Sequence, residues 1–203
     1  MSERSDARRV PGNDGRGEVR ERASRFIGLA FRVRSPQAAA EALEGFRREH
    51  HDATHIAFAW KIGAEPDAGV RVSDDGEPSG SAGKPILAAI ESSGLTDVLA
   101  AVVRHFGGTK LGTGGLARAY RRAAEAALDA AGSETVYDTV SVEVRVPHAK
   151  TGLARRLIDP PSIRLRSERF EPEPVLELEV RRSRLPSLLG ALEDARLEFR
   201  IQT

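Results

Sequence analysis

The chain has no cysteine, and among its 203 residues it has one methionine, one tryptophan and two tyrosines. The missing thiols exclude disulfides, thiolate catalysis and cysteine-ligated metal sites. No apolar run approaches the ~18 residues that a membrane-spanning helix needs, so no membrane partner is expected. The opening residues are charged and lack the apolar core of a secretory signal, and a cytoplasmic protein fits best. Nucleotide fingerprints are missing too. The spacing GxxxxGK[ST] fails at Gly108 and Gly112, and again at Gly83-Lys84, where Pro85 follows and Pro78 occupies the first glycine position. GxGxxG fails because Gly112 and Gly114 have no glycine at position 117. No GxSxG elbow surrounds Ser24, Ser79 or Ser81.

What is present is an ordinary globular mix, 40% apolar and 30% charged, in a length that suits one large or two small domains. The net charge of +1 makes no case for a nucleic-acid partner, but its distribution does more. Residues 40–79 carry nine acidic and four basic groups, residues 80–124 two and six, and residues 145–169 two and seven. Basic surfaces of this kind suit an anionic partner or simple solvation.

Residues 1–20 mix Ser, Gly, Asp and Arg without apolar periodicity and read as a disordered tail. Residues 26–33 alternate as a strand. Ser35-Pro36 then starts a helix, Ser as N-cap and Pro in the first turn, with Ala39, Ala42, Leu43 and Phe46 as its stripe. Strands at 54–62, 70–72 and 98–106 and helices at 84–93 and 115–131 follow, with Gly94 and Gly132 as stops. The reading is an α+β domain over 21–135 with its helices on one face of the sheet. Beyond a boundary near 132–138, residues 138–203 read βαββαβ, the order of a ferredoxin-like sandwich.

Two glycine-rich turns each open a helix. In the second, Gly112-Thr113-Gly114-Gly115 offers free backbone N–H groups and the positive end of a helix dipole. Arg118, Arg121 and Arg122 crowd the start of that helix, with Arg104 and Lys110 just upstream. An anion or phosphate site is one reading; a tight strand-to-helix turn beneath solvated arginines is the other. In the first turn, Asp74-Asp75-Gly76-Glu77-Pro78 packs three carboxylates into four residues. They could hold Mg²⁺, cap backbone N–H groups, or pair with the basic residues of the second turn. His50, His51 and His55 have a zinc-like spacing only if one helix runs through them, and a strand is expected from Thr54 onward. Phe58 and Trp60 share one strand face, as core or as a stacking platform.

The run 73–85, SDDGEPSGSAGKP, resembles the signature of the IMPACT/YigZ family, with Asp74, Asp75, Gly76, Glu77, Ser79, Gly80 and Gly83 as its turn residues. So does 103–120, VRHFGGTKLGTGGLARAY, and so do Ser24-Arg25-Phe26-Ile27 and the segment 53–60 around His55. His105 stands where an aromatic usually precedes Phe-Gly-Gly, and introduces a pH-sensitive group; Ala23 and Ser81 replace a common Lys and Thr. The resemblance implies an N-terminal domain with the left-handed βαβ fold of a ribosomal protein and elongation factor G, and a small ferredoxin-like C-terminal domain. Eukaryotic relatives regulate translation initiation. For this chain the expectation is a non-catalytic protein that binds RNA, the ribosome or translation factors, without a cofactor or resident metal. The rival is a metal-dependent enzyme acting on a small phosphorylated metabolite. Oligomeric state is not encoded in any pattern found.

Overall fold

The computed structural model describes residues 6–63 and 68–202, without the Glu171 side chain. The chain divides into two compact units, residues 8–135 and residues 136–203 together with the N-terminal residues through Ala7.

The expected tail is not one. Its first five residues lie outside the described part, but strand β1 (Ala7–Val10) and strand β2 (Gly15–Glu21) occupy much of the rest. In β2 the inward positions are Gly15, Gly17 and Val19, between Arg16, Glu18 and Arg20. The strand alternates correctly, but glycine fills the buried places, so no apolar periodicity marks it.

The N-terminal unit continues with β3 (Ser24–Arg32), α1 (Pro36–Glu49), β4 (His55–Ile62), β5 (Gly69–Ser73), α2 (Gly83–Ser93), β6 (Val98–His105) and α3 (Gly112–Ala131). Ser35 caps α1 through its hydroxyl, which accepts from the Ala38 N–H at 3.1 Å. Gly94 ends α2 in the left-handed region. The strands pair antiparallel in the order β2-β3-β6-β4-β5.

Helices cover both faces of this sheet, not one. Phe26, Ala30, Ala57, Ala59, Ala100 and Val102 face α2 and α3. The residues between them, Ile27, Leu29, Ile56, Phe58, Trp60, Leu99, Ala101 and Val103, pack with the stripe of α1. Doubly covered strands read as unbroken apolar runs, which is how 98–103 is written. Phe58 and Trp60 are therefore core residues. Helix α3 approaches its sheet face closely because Gly28 of β3 lies beneath it: a Cβ there would meet the Ala123 carbonyl oxygen at 1.9 Å.

The C-terminal unit holds β8 (Thr139–Arg145), α4 (Thr151–Arg156), β9 (Ile163–Glu171), β10 (Glu173–Arg181), α5 (Leu185–Asp194) and β11 (Glu198–Gln202). The short β7 (Glu134–Tyr137), where the chain passes between the units, pairs with β1. The four-stranded antiparallel sheet has the order β11-β8-β10-β9. Its core joins Val142, Val144, Leu176, Leu178 and Val180 with Leu188 and Leu192 of α5. Among the described residues no helix is long and apolar enough to cross a membrane.

Candidate functional site

The two glycine-rich turns differ in how their helices begin. Asp74 closes the first. Its carboxylate accepts from the backbone N–H groups of Gly80 at 2.8 Å, Ala82 at 3.0 Å and Gly83 at 2.8 Å. It thus supplies, from nine residues upstream, the cap that Ala82 cannot give α2. Burial pushes the Asp74 carboxyl up, but the three N–H groups and nearby Lys84 outweigh it and hold it below the usual range. Its contribution to stability is therefore present above the ordinary carboxylate range and is lost as pH falls through the depressed value. Asp74→Ala should cost about 1–2 kcal/mol at neutral pH, as lost caps do. The gap from wild type should narrow on acidification. Equal pH dependence of the two melting curves would refute this role for Asp74.

The other carboxylates are engaged elsewhere. Asp75 accepts from the Ile56 N–H at 2.7 Å, and its carbonyl oxygen lies 2.7 Å from His55 Nδ1. Glu77 is buried, 8% exposed, and accepts from Arg104 Nη1 at 2.5 Å and the Tyr120 hydroxyl at 2.7 Å. Among the described residues no three His, Asp or Glu side chains gather as a cation would require. The turn is a structural clasp, and the carboxylates offered for Mg²⁺ are spent on protein partners. Ser79 is exposed at its tip, and Gly76 and Gly80 turn the chain with φ of 86° and 75°.

Arg104 has to be taken out of the surface cations. It is 6% exposed. Along β6 the even positions face α2 and α3, so Arg104 follows Ala100 and Val102 inward, opposite Phe26. Its guanidinium lies 5.5 Å from the Phe26 ring centroid and 5.4 Å from that of Phe106. Tyr120, edge-on to Phe26 at 5.1 Å, completes the cluster. Burial, and after it the hydrogen bond to the Glu77 carboxylate, push its phenol far up, so it stays a donor. The strand parity could have shown that Arg104 is buried. The importance of Tyr120, inside a helix stripe, had no such signal.

The second turn is open. Helix α3 starts at Gly112, with φ of 69°, three residues earlier than the pattern suggests, and no side chain caps it. Gly112, Thr113 and Gly114 are exposed, and Gly115 is half-buried. Of the exposed cations, Arg121 pairs with Glu125 at 2.7 Å and also reaches Ser92, while Arg122 lies 3.8 Å from Glu21. Among the described residues Lys110 and Arg118 have no ion-pair partner. Arg118 folds back over the helix start, so that a Cβ on Gly114 would lie 3.6 Å from its Nη1. The loop is held from behind: Arg22 donates to the Lys110 carbonyl at 3.1 Å, and Ser24 Oγ accepts from the Gly107 N–H at 3.2 Å. Ala23 presses so closely that a Cβ on Gly107 would meet its backbone at 2.0 Å.

His55 begins β4 rather than continuing α1, so the histidines share no helical face; His105 Nδ1 lies 3.7 Å from Asp52. In the C-terminal unit the basic excess of 145–169 is answered in part. Arg155 pairs with Glu168, Arg166 with Glu179 and Arg169 with Glu143, at 2.5–3.0 Å.

The chain matches the Impact N-terminal domain over residues 22–128. It is 48% identical over 98 residues to the Escherichia coli IMPACT family member YigZ, a match that spans 48% of each chain. An IMPACT family member of Thermus thermophilus is 44% identical over 137 residues, 66% of this chain and 72% of that one. The crystal structure of a hypothetical protein superimposes over 98% of this chain and 97% of its own, with a TM-score of 0.69 and 26% identity. With its signature turns, its domain match and these relatives, the chain belongs to the IMPACT family.

Proposed function

We propose that this protein is a non-catalytic RNA-binding factor of the translation machinery, and that the start of α3 is its phosphate contact. The observation that carries the reading is the contrast between the turns. The N-terminus of α2 has its own carboxylate in Asp74, while that of α3 has two cations and no carboxylate. Cations at a helix N-terminus oppose the dipole unless an external anion joins them. Gly112, Thr113, Gly114 and Gly115 supply N–H groups, and Lys110 and Arg118 supply charge.

The fold supports the same reading at the level of architecture. The C-terminal order of strands and helices and the sheet order β11-β8-β10-β9 suit a ferredoxin-like sandwich. The N-terminal sheet with its helix α1 between β3 and β4 suits the ribosomal-protein and elongation-factor type of βαβ fold. In this reading the protein acts in the cytoplasm, where its partners are RNA, the ribosome or translation factors.

The test is a titration of labelled RNA across a series of salt concentrations. Wild type should bind with a steep salt dependence, and Lys110→Ala/Arg118→Ala should lower the slope by about two counterions. If the double variant binds with unchanged affinity and slope, the start of α3 is not the phosphate contact. If wild type does not bind RNA even at low salt, the function itself is wrong.

A further inference from the structure

Phe106 is large, apolar and 46% exposed, at the point where β6 ends and the glycine loop begins. Its neighbours fix it with care. The Phe106 N–H donates to Thr54 Oγ1 at 3.1 Å, and the next N–H, of Gly107, donates to Ser24. Beneath the ring lies the Arg104 guanidinium, 5.4 Å from its centroid and itself clamped by Glu77. Arg104 Nε is buried and has no hydrogen-bond partner. The cation is thus held close to the ring by its Nη1 hydrogen bond to Glu77, and the Phe106 side chain stays partly open to solvent.

We infer that Phe106 is a stacking platform for an unpaired base, so that the RNA bound by this protein is single-stranded at this point. The inference rests on the function proposed above and specifies its substrate. Non-specific single-strand sites combine a cationic track for the backbone with aromatic rings on which bases lie. Here the ring and the open start of α3 bound one loop of six residues, with Lys110 inside it and Arg118 in the second turn of the helix. A duplex hides the faces of its bases and would leave the ring unused. A ring already supported by a cation on one side is pre-positioned, and pays little further ordering to accept a base on the other.

The experiment uses full-length protein with a single-stranded RNA carrying a fluorescent base analogue and with the same sequence in duplex form. Phe106→Leu keeps an apolar cover over Arg104 but removes the aromatic face; Phe106→Trp keeps the face. Wild type and Phe106→Trp should quench the analogue on binding. Phe106→Leu should bind single strands about ten-fold more weakly, as loss of one stacked base does. Its salt slope should stay unchanged, because no phosphate contact is lost. Duplex binding should not respond to either substitution. The melting temperature of each variant checks that the unit is folded. Equal binding of single strand by wild type and Phe106→Leu, with RNA binding otherwise intact, would overturn the platform while leaving the phosphate contact standing. Absence of any RNA binding by wild type would instead remove the reading on which the platform depends.

Discussion

Replacing Glu77 by alanine should destabilise the N-terminal unit by about 3–5 kcal/mol, the usual cost of leaving one member of a buried ion pair alone. The carboxylate and the Arg104 guanidinium have side-chain exposures of 3% and 7%. Neither can recover solvent when the other is removed, and the unpaired guanidinium would remain between Phe26 and Phe106. Tyr120 would lose its acceptor as well. In thermal unfolding the change should lower Tm by roughly 10 °C or more. Two further variants separate charge from packing. Tyr120→Phe removes one hydrogen bond while the ion pair stays, and should cost about 1 kcal/mol. The double variant Glu77→Leu/Arg104→Met removes both charges and should be less destabilised than Glu77→Ala, since apolar replacement of a whole buried pair is often close to neutral. A double variant as unstable as the single one would mean that packing volume, not the stranded charge, sets the loss.

The second large effect is expected at Gly28. A side chain there meets backbone, not a flexible tip: the Cβ of an alanine would sit 1.9 Å from the Ala123 carbonyl oxygen and 2.7 Å from its carbon. Helix α3 must move off the sheet to admit it, disturbing the Ala119, Ala123 and Ala127 seam. Overpacking of this kind costs about 1–3 kcal/mol, so Gly28→Ala should lower Tm by about 5 °C or more. Gly45 provides the control. It lies within α1, and nothing stands within 4 Å of a Cβ placed on it. Gly45→Ala should leave stability unchanged or raise it by about 0.5–1 kcal/mol through helix propensity. If both substitutions are neutral, the close approach of α3 does not constrain residue 28.

These two sites show where the sequence was readable. Ser35-Pro36 marks the start of α1 and Gly94 the end of α2 because each signal is local and chemical. The unbroken apolar run of 98–103 marks a central strand, and its continuity also implies cover on both faces, a step that the one-face reading missed. Strand β2 was invisible because Gly15 and Gly17 take inward positions where a side chain would meet α3, which no hydropathy pattern records. Arg104 was misplaced because a cluster of cations in sequence was taken as a cluster in space, when strand parity sends it inward while Arg118 stands on the exposed side of α3. The motif carried the family but not the division of labour within it. Only the hydrogen bonds of Asp74, Asp75 and Glu77 separate a clasp from a metal site.

The clasp also has a place in time. Glu77 reaches Arg104 and Tyr120 across 27 and 43 residues of chain, so loop closure must precede either contact. A half-formed cluster holds a desolvated charge without its partner, which favours completing it only after the turn, β6 and α3 have docked. Interactions absent from the folding transition state act on the unfolding rate. Weakening the cluster is therefore expected to hasten unfolding and leave refolding almost as fast, which stopped-flow unfolding and refolding of Glu77→Ala would check.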